Sequence, residues 1–368
     1  MTMAPAPGTA DTKSNESATF DQVSPAEADI RHVVVTGGSW PLGRRVIERL
    51  GRTDTREQSS QQRQPTFVVR ESIFDRAGFD QAGDVVDRCD ILVHLAPGDH
   101  DALAARGRSA VVGTPEILEQ ASRAGARHVL LLSSAMVYGA WPNNPIPLTE
   151  DATLRPDFGF AFARQLATVE QLVDDWRVRE SGRQTCVLRP VPTMAADGTS
   201  SLVRALAAGM GGRRGVDDVP AQFVHLDDLA DAVALCVREG LSGIYNVAPE
   251  GFVPGSRVRA LSGMSPRLRL PDRLGEFVDD LRWRFQRGPI PPGLRPYVRS
   301  PWLVSSGRLR EAGWEPMVTN EQAFVEGTDA KWWTMLTPKR KQELALGATA
   351  SAIVFGLLSV LWFLRRRR

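Results

Sequence analysis

The residues of this chain best suited to a chemical task stand together in one short stretch, Thr36-Gly37-Gly38-Ser39-Trp40-Pro41-Leu42-Gly43. Val33-Val34-Val35 precedes it and Arg44-Arg45-Val46-Ile47 follows. Three β-branched residues in a row read as a buried parallel strand, the glycines as a tight turn, and the segment from Pro41 as a helix with proline at its first position. Backbone N–H groups at such a helix start, helped by the helix dipole, face phosphate oxygens, and the pyrophosphate of a dinucleotide is the ligand such a turn suits. The candidate binding residues are Gly37, Gly38, Trp40, Leu42 and Gly43. The bulky Trp40 side chain either points away from the phosphate position or fills it.

Other reactive side chains are scarce. Cys89, Cys186 and Cys236 are widely spaced, lack metal-ligand spacing, and read as small buried hydrophobes in a reducing compartment. The five histidines, at 32, 94, 100, 128 and 225, form no cluster, so no metal site is expected. Lysine occurs only at 13, 331, 339 and 341, and tyrosine only at 138, 245 and 297. The region that would fold as a globule therefore holds no lysine. A formal charge of +2 over 368 residues gives no nucleic-acid footprint.

The elements that must position the turn follow in chain order. Residues 1–29 are rich in Ala, Pro, Ser, Thr and Asp without an apolar run, and read as a disordered tail rather than a signal peptide. Residues 51–64 are polar and patternless, a surface loop. Phe67-Val68-Val69 is a short strand ending in Arg70, and Asp90 to Pro97 a strongly apolar one. Val112 to Ala124 has helical spacing closed by Gly125. His128 to Leu132 is a strand running into Ser133-Ser134 and then Val137-Tyr138-Gly139. Asp157 to Glu170 spans a helix, Thr185 to Pro190 a strand, Asp227-Asp228 a helix N-cap, and Gly243 to Ala248 a late strand. Leu309 to Phe324 reads as a closing helix.

This frame resembles the extended, epimerase/dehydratase-like branch of the short-chain dehydrogenase/reductase superfamily. The Thr-Gly-x-x-Gly-x-x-Gly turn is matched at Gly37 and Gly43, with Trp40 at the second glycine, and the apolar strand running into Ser-Ser and Val-Tyr-Gly is the most specific likeness. The resemblance implies a doubly wound α/β fold binding NAD or NADP, with Leu95, Ala96 and Pro190 beside the cofactor and Ser133 and Ser134 as candidates to hydrogen-bond substrate. An acid at the end of the second strand grips the ribose in relatives. Arg70 there would favour a 2′-phosphate, although Phe67 to Ile73 could equally be the third strand. The family's catalytic Tyr-x-x-x-Lys pair falls on Phe160 and Arg164, where Arg164 could still hold a ribose; a shift of two gives Phe162 and Leu166. A phenyl ring cannot transfer a proton.

Two further stretches concern a membrane. Arg267 to Arg310 carries ten arginines against four acids, and Leu281-Arg282-Trp283-Arg284-Phe285 interleaves cations with aromatics. Leu344 to Leu364 is twenty-one residues without a charge, about 30 Å as a helix and so matched to a hydrocarbon core. Lys339, Arg340, Lys341 and Arg365 to Arg368 flank it, with Trp332, Trp333 and Trp362 near its ends.

The sequence therefore implies a tail (1–29), an NAD(P)-binding Rossmann domain (30–250), a small substrate lobe with a closing helix (251–330), a basic linker (331–343) and a single transmembrane helix (344–364). Its globular part is expected on the cytoplasmic side of a membrane. Two functions compete: an NAD(P)-binding protein that has lost the family's catalysis, or an oxidoreductase or epimerase acting on a nucleotide sugar or lipid-linked molecule. A homodimer is left open.

Overall fold

The computed structural model describes residues 30–51, 66–71, 88–98, 101, 110–211, 218–262 and 292–328. The tail at 1–29, the cation–aromatic run at 281–285 and the apolar span at 344–364 lie outside the described residues. Among the described residues no helix is long and apolar enough to cross a membrane.

Six parallel strands form the central sheet: β1 (Ile30–Thr36), β2 (Thr66–Glu71), β3 (Ile91–His94), β4 (His128–Leu132), β5 (Gln184–Pro190) and β8 (Gly243–Val247), in the order β2-β1-β3-β4-β5-β8. Two short strands, β6 (Thr193–Met194) and β7 (Val224–His225), pair separately. The near-continuous apolar runs of the sequence exist because both faces of the sheet are buried. Val33, Val35, Leu130, Leu132, Cys186 and Leu188 join one core cluster, while the intervening Val34, Val129, Leu131 and Val187 join another. Helices α1 (Pro41–Gly51) and α5 (Leu226–Arg238) pack together, as do α2 (Ala110–Arg123) and α3 (Ala161–Val178). All three cysteines are free and buried.

Strand order resolves one alternative from the sequence. β2 pairs directly with β1, Val34 opposite Arg70 and Val35 opposite Glu71, so it is the second strand. It also runs one residue past Arg70, whose side chain is exposed, and ends on Glu71. The chain leaves β1 for one neighbour and returns to β3 on its other side, which opens a crevice at the carboxyl ends of β1 and β3.

Two other expectations are corrected. The closing helix is two helices, α8 (Gly307–Glu311) and α9 (Asn320–Gly327), because Gly313 turns left-handed at φ +98° and Thr319 starts a new helix with a capping box to Gln322. The cap of α5 is His225, whose Nδ1 accepts the Asp227 N–H at 3.2 Å. The Asp227 carboxylate instead pairs with Arg45 at 2.9 Å and Arg49 at 3.1 Å, and Asp228 accepts the Met317 and Val318 N–H groups at 2.9 and 3.0 Å. The lobe is completed by α4 (Ser201–Gly211), α6 (Gly255–Leu261) and α7 (Arg295–Arg299), with α4 packed on α6 and α7.

A buried polar network ties these parts together. Arg189 on β5 and Glu170 on α3 are 3% and 7% exposed and paired at 2.6 Å. Arg189 also donates to the Tyr138 hydroxyl at 2.8 Å, Tyr138 donates to Asn246 at 2.9 Å, and the Asn246 N–H donates to Glu150 at 3.0 Å. Glu170→Ala would leave the guanidinium buried without its counter-charge, so urea unfolding should show a loss of about 3–5 kcal/mol. A second expectation concerns pH. Burial holds the His128 imidazole below the ordinary histidine value of 6.5. The unfolded chain then takes up a proton that the folded chain resists, so stability should fall as pH drops below 6.5, and His128→Phe should flatten that slope.

Candidate functional site

The turn between β1 and α1 has the geometry of a backbone cradle. Gly37 has φ +84°, where a side chain would be strained. The Trp40 N–H closes the turn on the Gly37 carbonyl at 3.2 Å, and Arg44 N–H bonds the Trp40 carbonyl at 3.0 Å to begin α1. A Cβ on Gly43 would stand 2.0 Å from the Gly37 oxygen and 2.5 Å from the Gly38 Cα. The first turn of α1 therefore rests directly on Gly37 and Gly38, which are buried. That close approach is what a pyrophosphate-binding turn requires, so the residues present fit a dinucleotide. Leu42 is buried beneath the helix, while Trp40, at the second glycine position, is half-buried.

Beside the turn, a hydrogen-bond chain sets the ends of the strands. The Thr114 hydroxyl donates to the Ala110 carbonyl at 2.8 Å, so it accepts from His94 Nε2 at 3.2 Å. His94 Nδ1 then accepts the Thr36 hydroxyl at 2.7 Å. That order assigns the Nε2-protonated tautomer to His94 and orients Thr36, one residue before Gly37. Leu95 is buried and its N–H bonds the Thr36 carbonyl at 3.2 Å. Ala96 opens the 3₁₀ turn Ala96–Gly98, which lies on β4: a Cβ on Gly98 would stand 2.5 Å from Leu132 Cγ. Pro190 is buried at the end of β5. The expected cofactor residues Gly37, Gly38, Trp40, Leu42, Gly43, Leu95 and Ala96 thus meet around the β1/β3 crevice. Arg70 lies on β2, on the opposite side of β1 from it.

The adjacent serines have different surroundings. Ser133 is 1% exposed and its hydroxyl donates to Glu170, placing it inside the buried network. Ser134 is half-buried; its oxygen accepts the Met136 N–H at 3.2 Å and caps the 3₁₀ turn Ala135–Tyr138. Its hydroxyl proton has no acceptor among the described residues.

At the start of α3 the site is aromatic. Phe160 precedes the helix, is buried, and its ring lies 5.4 Å from that of Tyr297 and 6.0 Å from that of Phe162. Tyr297 of α7 is fully buried, donates to the Met136 carbonyl at 2.7 Å and meets the Trp302 ring edge-on at 5.3 Å. A Cβ on Gly293 would stand 2.6 Å from the Gly159 oxygen, so the segment before α7 presses directly on the start of α3. Tyr297 could not be assigned to this place from sequence, since it is 137 positions from Phe160 and joins it only through the lobe. Burial pushes up the hydroxyl pKa of all three tyrosines: Tyr138, against the opposing effect of Arg189, Tyr245 and Tyr297. A tyrosine serving as catalytic base needs the opposite shift. Arg164 is exposed on the far side of α3, in a groove of about 950 Å³ that it lines with Thr168, Gln171, Asp174, Thr185 and Ile244. That groove follows β5 and β8, and none of the glycine-turn residues lines it.

The two serines should respond differently to substitution. Ser133→Ala removes a buried donor from Glu170 and should cost about 1–3 kcal/mol in urea unfolding. Ser134→Ala loses one short cap and should cost about 0.5–1 kcal/mol.

Comparison with known proteins accords with this geometry. Uncharacterized proteins of Mycobacterium bovis and Mycobacterium tuberculosis are 24% identical over 241 residues, 64% of this chain, and the chain spans 64% of their length. A 3-diazoavenalumate denitrifying reductase of a Streptomyces species is 29% identical over 213 residues, 54% of this chain and 67% of that protein. Among solved structures, UDP-glucose 4-epimerase of Thermus thermophilus in complex with NAD superposes with a TM-score of 0.54 at 18% identity, covering 81% of this chain and 98% of that one. RMD of Pseudomonas aeruginosa complexed with NADPH gives 0.55 at 20% identity, covering 81% and 96%. At these identities the structures share the fold alone. The model of the NAD dependent epimerase/dehydratase family matches residues 33–248, well over half of the chain, and the chain belongs to that family.

Proposed function

We propose that this protein is a membrane-anchored NAD(P)-binding member of its family that does not carry out the family's tyrosine-mediated proton transfer. The observation that carries the second half of this reading is the start of α3. Phe160 is buried there against Tyr297, and each tyrosine of the chain has its hydroxyl pKa raised by burial. Dinucleotide binding is supported by the Gly37–Gly43 cradle and by family membership. Gly37, Gly38 and Gly43 would hold the pyrophosphate, with Leu95, Ala96 and Pro190 along the cofactor. The dinucleotide supplies hydride transfer where a member is active. In this chain the Trp40 side chain weakens binding by restricting approach to the turn.

Arg70 lies on β2, which pairs directly with β1, but on the opposite side of β1 from the β1/β3 crevice. Either dinucleotide fits the reading. The alternative, an oxidoreductase or epimerase on a nucleotide sugar or lipid-linked molecule, is favoured by the half-buried Ser134 and by the reductase relative.

Fluorescence titration of the purified full chain with NADH and NADPH should give a Kd above about 1 μM, and Trp40→Gly should tighten it. Submicromolar binding by the unaltered chain would overturn the obstruction by Trp40. No hydride transfer to nucleotide sugars above background is expected. Turnover that survives joint Ser133→Ala and Ser134→Ala substitution would show that other residues have taken over the chemistry.

Anchoring rests on the uncharged span Leu344 to Leu364 and its basic flanks. Deleting residues 343–368 should move the protein into the soluble fraction. With the globular part cytoplasmic, protease added to right-side-out vesicles should leave it uncut; digestion would place it outside.

A further inference from the structure

The groove beside α3, β5 and β8 holds polar groups that the fold leaves unmet. Its floor is Val187 of β5 and Ile244 of β8, which stand directly opposite each other where the two strands pair. β8 is the last strand of the sheet, and Ile244 on it stays half-buried. One wall is a stripe of α3, where Arg164, Thr168 and Gln171 recur at helical spacing. The volume of about 950 Å³ suits a small molecule.

Three arginines line the groove, and their partners decide which of them is available. Arg177 places Nε and a terminal nitrogen on Asp174 at 2.9 and 2.7 Å. Arg183 pairs with Glu180 at 2.8 Å, donates to the Trp176 carbonyl at 3.0 Å and lies 4.4 Å over the Trp176 ring. Glu170, which also borders the groove, is held by Arg189. The Arg164 guanidinium is exposed and has no partner among the described residues. It is the cation left over.

A second unmet group lies deeper. Thr185 is 8% exposed and shares the α3 side of β5 with Val187. Its hydroxyl has no hydrogen-bond partner among the described residues, whereas a polar group so far withdrawn from water is normally bonded. The exposed Gln171 amide on the facing helix has no partner among the described residues either. α3 crosses over from β4 to the parallel strand β5, so it runs back against both. Arg164 in its first turn therefore stands toward the carboxyl end of the sheet, and Thr185, the second residue of β5, toward the amino end. Between them lies the apolar floor.

We propose that this groove is a second ligand site, for an elongated amphiphilic anion. Its carboxylate or phosphate pairs with Arg164, its apolar body lies on Val187 and Ile244, and a hydroxyl at its far end meets Thr185 and Gln171. The planar guanidinium fork suits either head group. No residue of the Gly37–Gly43 turn lines the groove, so the site stands apart from the cradle and does not depend on the NAD(P)-binding reading.

Equilibrium dialysis of the purified full chain against octanoate, 8-hydroxyoctanoate and octyl phosphate tests the site, with Arg164→Ala and Thr185→Val beside the wild type. At least one of these anions should bind with a Kd below about 1 mM, and the tighter of octanoate and octyl phosphate names the head group. Arg164→Ala, at an exposed position, should weaken every bound anion about tenfold. Thr185→Val keeps the shape of the side chain; it should weaken 8-hydroxyoctanoate about fivefold and leave octanoate unchanged. Failure of all three anions to bind, or binding that Arg164→Ala leaves unaltered, overturns the site. Equal effects of Thr185→Val on the two acids overturn the placing of the ligand's far end. Direct competition between NADH and the bound anion overturns the separation of the groove from the cradle.

Discussion

The arrangement of the site depends on one buried ion pair. Arg189 and Glu170 are almost wholly removed from water and would be costly there if either stood alone. Their pairing is completed by Ser133, by the Tyr138 hydroxyl and by the Glu150 carbonyl, so the charges are met by hydrogen bonds on several sides. Because Glu170 lies on α3, Arg189 on β5 and Ser133 at the end of β4, this network fixes where the helix sits along the sheet. It thereby decides which side of α3 faces inward, and leaves Arg164 on the outer side.

With the helix so placed, its first turn meets the lobe. Phe160, Phe162, Tyr297 and Trp302 form a run of ring contacts there, and Gly293 lies against Gly159 too closely to admit a side chain. Apolar packing thus occupies the start of α3. The Tyr297 hydroxyl donates to the Met136 carbonyl and the Trp302 indole N–H to the Tyr297 carbonyl, so the polar atoms of these two rings are satisfied within the core.

The phosphate turn has a different character. Its geometry is set by backbone contact: Gly43 on Gly37 and Gly38, and His94 steering Thr36 through a determined tautomer. None of this uses Phe160 before α3 or Arg164 on it, so the cradle and the start of that helix are built independently of one another. A binding fold and a catalytic site are separate endowments.

The amino-acid sequence by itself determined the parallel sheet and the cradle, because both follow from local rules. Consecutive β-branched and leucine residues need burial on two faces, and Gly37, Pro41 and Gly43 specify a strand-turn-helix unit within eight residues of Thr36. The absence of lysine and of a tyrosine on α3 was equally plain, since a missing residue type needs no fold to be noticed. What sequence could not decide was which groups meet. β2 runs at least one residue past Arg70, because its pairing with β1 continues to Val35 opposite Glu71. The cap of α5 passed from Asp227 to His225 because Arg45 and Arg49 claimed the carboxylate from another helix. Ser133 and Ser134, indistinguishable neighbours in sequence, were separated by the side to which each points, one toward Glu170 and one toward the turn after β4. Contacts such as Tyr297 on Phe160 and Asp101 on Ser201 span a hundred positions or more, and only the closing of the lobe on the sheet brings them together.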